Sequence, residues 1–321
     1  MSHQLESGMF VQVPAWHKLG VVLPEAPTAE QAITYAGLDW QVEKRPVAFY
    51  DNLGNLKKAD GQFAVVRTND DQYMGYAGKS WQPLQNKEAF SFFNPFIESG
   101  EASFETAGSL DFGKRIWILA KINRDPIEVV KGDIVEKYVL LSNYHRAGYA
   151  VRGALTPIRV VCANTEAMAF NSKQTRIFKA THSTKMQERL EQVQISIAAA
   201  EDAFKQTAEY YKRFAKINVD KKTVENYINT VFGYADVVNK GREEAFKKKQ
   251  HETIQRLFET GRGSDIKGVR GTLWGLYNSV SEWTQHEMGK IDEKRLSSAW
   301  FGSGMDLNIR AFNAAKDLVV A

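Results

Sequence analysis

The chain has 321 residues, 43% of them hydrophobic and 25% charged, with a formal net charge of +4 and one cysteine. That balance is ordinary for a globular protein, long enough for one large domain or two modest ones, and nothing in it forces disorder. A lone cysteine excludes an internal disulfide framework and a cysteine-rich zinc site.

The N-terminal MSHQLESGMFVQVPAWHKLG has no basic flank followed by an apolar core, and no window reaches the roughly 18 consecutive apolar residues of a membrane span. These features predict a cytoplasmic protein with no membrane attachment.

After a loop-like start, WQVEKRPVAFYD, QFAVVRTND and DQYMGYAG read as strands separated by turn-forming DNLGN and Asn-Asp-Asp. A helix is predicted over 86–99, starting near the capping-type Asn86 and turning Phe90, Phe93 and Ile97 inward. ASFETAGSL, KRIWILAKI, IEVVKGD, EKYVLLSNYH, AVRGAL, PIRVVCAN and QTRIFKATHS follow, all rich in β-branched or aromatic residues.

Near Thr181 the alternation gives way to a three-four apolar spacing at Met186, Leu190, Val193, Ile197, Ala200, Phe204, Ala208 and Tyr211, the stripe of one helix of about thirty residues. Shorter helices are predicted at Lys221–Phe232, Arg242–Thr260, Thr272–Glu287 and Met305–Val319. The expected fold is α+β: a twisted, mostly antiparallel sheet with a crossing helix in residues 1–180, then a helical region in residues 181–321.

Familiar catalytic patterns are missing. GRGSDIKG lacks the spacing of a phosphate-binding loop and follows a helix rather than a strand. His251-Glu252 and His286-Glu287 lack the second histidine four residues on that a zinc-protease helix needs. Neither a metal nor a nucleotide cofactor is expected, and no catalytic residue is assigned. Cys162 could act as a nucleophile with His145 or His182 as base. Its place in the alternation Ile158, Val160, Cys162 favours a small core residue instead, with Arg159 on the opposite pleat. Trp16 and His17 are read as an N-terminal arm that docks its indole into a core.

Charge is unevenly spread. Between Lys137 and Lys179 seven basic residues, Lys137, Arg146, Arg152, Arg159, Lys173, Arg176 and Lys179, meet a single acid, Glu166. Tyr138, Tyr144, His145, Tyr149, Phe170 and Phe178 are interleaved with them. Cations that track phosphates beside rings on which unstacked bases rest are what single-stranded nucleic acid requires. A second basic window, Lys240 to Arg270, centres on KKKQ.

PAWHKLG, GKSWQPLQNKEAFSFF, FETAGSLDFGKRIWILAKI, TPIRVVCANT, GVRGTLWGLYNSVSEW and FGSGMDLNIRAF, in this order and spacing, resemble the phage/plasmid-like protein family known as domain of unknown function 932. The resemblance covers nearly the whole chain. It implies a protein of a mobile genetic element acting in the bacterial cytoplasm, and it supplies no catalytic residues. The layout of hairpin strands, helix, basic strands and helical C-terminal half is also similar to that of phage single-strand annealing proteins. That likeness implies a ring or filament of identical subunits with DNA in a basic groove.

The function expected is therefore single-stranded DNA binding and strand annealing, without covalent catalysis. Arg146, Arg152, Arg159, Lys173, Arg176 and Lys179 would contact phosphates, Tyr144 and Tyr149 would stack on bases, and Lys114 and Arg115 would extend the groove. The alternative is a host-takeover, anti-defence or minor structural factor whose basic face meets an acidic protein partner.

Overall fold

A computed structural model of the chain describes residues 5–12, 20–159, 164–165, 177–199, 201–233, 242–289, 295, 298–299 and 302–320. The architecture is α+β, with a mostly antiparallel sheet and a helical C-terminal half, as expected.

One sheet contains β1 (Leu5–Val11), β2 (Val21–Leu23), β6 (Ala102–Leu110), β7 (Arg115–Val130), β8 (Asp133–Tyr144), β9 (Val151–Arg159), β10 (Asn164–Thr165) and β11 (Ile177–Ala180). Its order is β10-β9-β8-β7-β6-β1-β2, with β11 also paired to β9. A second sheet has the order β3-β4-β5, formed by β3 (Val42–Tyr50), β4 (Leu56–Arg67) and β5 (Tyr73–Gly78).

KRIWILAKI and IEVVKGD, expected as separate strands, belong to one 16-residue strand, β7. Pro126 lies beyond the β6 ladder, which pairs with β7 only from Arg115 to Ile122. Beyond that point no β6 carbonyl requires an N–H. Pro157 is accommodated similarly: β11 pairs with β9 over Val151–Ala154 and β10 over Ile158–Arg159, which leaves Pro157 between the two partners.

The helices carry their own start signals. α1 (Ala29–Tyr35) begins with a capping box, Thr28 accepting from the Gln31 amide and Gln31 returning the bond to the Thr28 amide. The helix expected over 86–99 is two short ones, α2 (Asn86–Ser91) and α3 (Asn94–Glu98), with Pro95 in the first turn of the second. Gln85 and Glu88 form the α2 capping box, and Asn86 does not cap: it is buried inside the first turn.

The long helix expected from Met186 is described as α4 (Met186–Ala199) and α5 (Glu201–Phe214), on either side of residue 200. α6 (Lys221–Phe232), α7 (Arg242–Thr260), α8 (Leu273–Glu282) and α9 (Ser303–Val320) follow.

Packing groups the chain into two compact units, one of residues 1–124, 138–155 and 173–199, the other of residues 125–137, 156–172 and 200–321. The first is centred on Met9, Leu84, Phe90, Phe93 and Phe104, with the Phe90 and Phe93 rings 5.5 and 5.7 Å from Phe104. The second is an aromatic core of Tyr211, Phe214, Trp274, Tyr277 and Phe312. Every residue of α8 is buried there; Asn278 turns back on the helix, donating from Nδ2 to the Trp274 carbonyl (2.8 Å), while Glu282 accepts from the Arg262 amide (2.9 Å).

Candidate functional site

In the first unit, strands β7, β8, β9 and β11 bring four of the expected cations to one end of the sheet. Side chains alternate along β8, so Ser142 and Tyr144 share one face and Asn143 takes the other. Arg115, at the start of β7, donates from Nε to Ser142 Oγ (3.0 Å), and its guanidinium lies 5.2 Å over the Tyr144 ring. On β9, Arg152 stands directly opposite Lys179 of β11.

The turn leaving β8 folds Tyr149 back onto Tyr144. The rings stack with centroids 4.2 Å apart and planes 22° apart. Arg146 reaches over both: its guanidinium carbon is 4.6 Å from the Tyr149 centroid and 5.7 Å from that of Tyr144, and Nη2 donates to Tyr149 Oη (2.9 Å). Two backbone bonds fix this turn, from the His145 amide to the Lys114 carbonyl and from the Ala147 amide to the Tyr76 carbonyl, both 2.9 Å. Gly75 is required at that crossing, because a Cβ there would stand 2.5 Å from the Arg146 Cβ.

Arg115 is buried, and desolvation pushes its guanidinium below the ordinary arginine range; Tyr144 opposes that shift and the positive charge of Arg152 adds to it. Arg146 and Lys179 have no carboxylate partner among the described residues, and Arg146 Nε is buried without an acceptor. A fixed set of cations beside half-exposed phenol rings is suited to a polyanion that carries flat groups.

Other expected residues fall elsewhere. Lys114 lies in the turn before β7, its ammonium 3.8 Å from Asp111. Lys137 is buried in the second unit, with Nζ 4.3 Å over the Phe204 ring, so its charge is not part of this surface. Tyr138 is buried in β8. The Arg159 side chain, and Lys173, Arg176, Cys162, Trp16 and His17, lie outside the described residues.

Behind the cluster, on the opposite face of β8, sits a polar network that sequence reasoning did not find. Asn86 donates from Nδ2 to the carbonyls of Leu38 (3.0 Å) and Trp40 (3.3 Å), which orients its Oδ1 as the acceptor for His145 Nε2 (2.9 Å). His145 Nε2 therefore carries the hydrogen, and Nδ1 is a buried lone pair with no partner.

His182 follows the same logic: Nδ1 donates to the Gln82 carbonyl (2.9 Å), which leaves Nε2 bare while the ring stacks on Trp81 at 4.9 Å. Burial drives the His145 pKa down to about 3, reinforced by the charges of His182 and Arg67. The His182 pKa is lowered chiefly by burial. Asn143 joins the network through Nδ2 to the Leu84 carbonyl (3.2 Å). At neutral pH these imidazoles are uncharged packing groups that fix the 81–86 segment against β8.

Among the described residues no three His, Cys, Asp or Glu side chains are grouped so as to hold a metal ion, and no helix is long and apolar enough to cross a membrane. No curated protein and no solved structure matches the chain. A family model matches residues 73–300, a span that includes the whole cation and tyrosine cluster. The chain belongs to the family described as Domain of unknown function (DUF932).

Proposed function

We propose that the protein binds single-stranded DNA at the Tyr144, Arg146, Tyr149, Arg152 and Lys179 cluster, which the buried Arg115 supports from beneath Tyr144, and promotes annealing of complementary strands without a nucleotide cofactor. The observation that carries this reading is the combination of Arg146 and Lys179, which lack carboxylate partners, with the tyrosine stack that Arg146 covers. Phosphates would neutralise the cations and release their counterions, and a base would rest on the half-exposed Tyr149 ring. Strands held along their backbones keep their base edges open, so pairing free energy drives annealing. Arg159, Lys173 and Arg176 would lengthen the phosphate track, as their place in the basic window indicates.

Fluorescence anisotropy with a labelled oligothymidylate, at about 50 and about 200 mM salt, tests the reading. Binding should weaken steeply with salt. Arg146→Ala and Lys179→Ala should each flatten the slope of log K against log salt by about 0.7, the value for one phosphate contact on a single strand. Tyr149→Ala should cost about 1–3 kcal/mol at either salt, the worth of one stacked base. An acidic protein partner in place of DNA would leave the oligonucleotide unbound at both salts.

A further inference from the structure

We propose that Phe112, at the apex of the β6–β7 turn, is a second stacking platform for a single strand, a role that rests on the DNA-binding reading of the cluster beside it. Leu110 pairs with Arg115, so Asp111, Phe112, Gly113 and Lys114 form a four-residue connection. Three of these in succession have left-handed backbones, with φ of 53° at Asp111, 56° at Phe112 and 80° at Gly113.

Turns take glycine, asparagine or aspartate in that region, because glycine has no Cβ and the short polar side chains bond locally. Asp111 and Gly113 follow that preference, and Phe112 does not. Burial does not offset the strain either, since Phe112 is 64% exposed. Neither the turn nor the core accounts for a phenylalanine at this position.

The backbone beneath the ring is seated. A Cβ on Gly113 would stand 2.8 Å from Arg67 Nη1 and 3.0 Å from Glu6 Oε2, so this side of the turn lies against that ion pair. The Lys114 amide closes the turn on the Asp111 carbonyl (3.1 Å). Little ordering is therefore required when a flat group meets the Phe112 ring.

The turn is continuous with the cation and tyrosine cluster. The Lys114 carbonyl accepts from the His145 amide (2.9 Å), one of the two bonds that fix the turn carrying Arg146 and Tyr149, and the next residue, Arg115, lies against the Tyr144 ring. Two residues of chain reach about 7 Å at most, so Phe112 stands at the rim of the cluster. The Lys114 ammonium, 6.0 Å from the Phe112 centroid, is also 3.8 Å from Asp111, so the turn adds a ring without adding net charge. A neutral ring beside cations suits the neighbouring bases of a strand whose phosphates those cations hold. Tyr149 and Phe112 thus mark two base positions on one bound strand.

The test is fluorescence anisotropy of the full-length protein with a labelled oligothymidylate at about 50 and about 200 mM salt. Phe112→Ala should weaken binding about fivefold to about 150-fold, the range for one stacked base, with the wild-type salt slope because the ring carries no charge. Phe112→Leu, which keeps an apolar side chain without a π face, should bind as weakly, and Phe112→Trp should bind at least as tightly as wild type. Phe112→Gly relieves the left-handed strain, so its urea midpoint should lie at or above that of wild type while its affinity matches Phe112→Ala, which separates lost stacking from lost fold. Unchanged affinity in Phe112→Ala, the result expected if Phe112 meets a protein instead, would overturn the role of Phe112. A weakened Arg146→Ala in the same assay would then leave the DNA-binding reading standing. A Phe112→Leu protein of wild-type affinity would also overturn it, in favour of plain apolar contact. A wild type that binds no oligonucleotide at either salt would remove both proposals.

Discussion

Arg152 and Lys179 stand directly opposite each other on β9 and β11, two positive charges paired across an antiparallel ladder. Like charges in that position cost stability, about 0.2–1 kcal/mol, where an opposite pair would contribute about as much. Lys179→Glu should therefore raise the midpoint of urea unfolding while reducing oligonucleotide affinity. A stabilised variant that still binds DNA like wild type would show that the pair has no role in binding.

Gly75 offers a way to disturb the site without removing a charge. A methyl group there would approach the Arg146 Cβ to 2.5 Å, well inside contact distance, so the turn carrying Arg146 and Tyr149 must shift. Gly75→Ala should weaken oligonucleotide binding and flatten the salt slope by as much as one contact, because the slope counts the phosphates neutralised and not the cations present; wild-type affinity and slope would show that the position of this turn does not matter to binding. A slope that falls by a full contact would place the displaced Arg146 out of reach of phosphate.

The buried histidines set an acid limit on stability. An unfolded imidazole takes up a proton near pH 6.5, whereas folded His145 does so only near 3. Between these values the unfolded chain binds more protons, so the stability contributed by neutral His145 is complete above about pH 6.5. It is lost at roughly 1.4 kcal/mol per pH unit as pH falls toward 3. His182, shifted in the same direction, steepens the loss. Urea titrations at pH 7, 5 and 4 should show falling midpoints, and His145→Gln should flatten that dependence even where it lowers stability at pH 7.

Sequence reasoning found what local pattern encodes and missed what the chain brings together over distance. Helices α6 and α7 matched the bounds expected from apolar spacing, and the helical second half began where strand alternation stopped. α1 was overlooked although Thr28-Ala-Glu-Gln31 is a capping signal, because a helix of seven residues is too short to show a repeated apolar period. β7 was divided at Pro126, which lies past the last residue that pairs with β6, a position no local signal marks.

The same division holds for the candidate site. Tyr144, Arg146, Tyr149, Arg152 and Lys179 were legible as one basic, aromatic window, and Arg115 joins them through its bond to Ser142. Lys137 belongs to that window by sequence but is buried under Phe204 in the other unit, since charge counting does not say which way a side chain faces. The role of Gly75 requires knowing that β5 meets the turn after β8, and no local signal carries that.

Asn86 shows how far a residue's role can lie from its propensity. Its type and position suggested a helix cap, yet its side chain is buried and serves three partners: the Leu38 and Trp40 carbonyls and His145 Nε2. Asn86→Ala would strand all three in a site that water does not reach, at about 1 kcal/mol or more each, so a loss of about 3 kcal/mol or more is expected in urea unfolding. Asn86→Asp separates the hydrogen-bond role from the charge: it keeps an acceptor for His145 but loses both donations to the carbonyls. It should also place a negative charge against the imidazole and raise the His145 pKa from about 3 toward the ordinary range. Proton-detected titration of the His145 ring would measure that rise. A His145 that titrates in Asn86→Asp as it does in wild type would mean that the Asn86 contact does not control the ring.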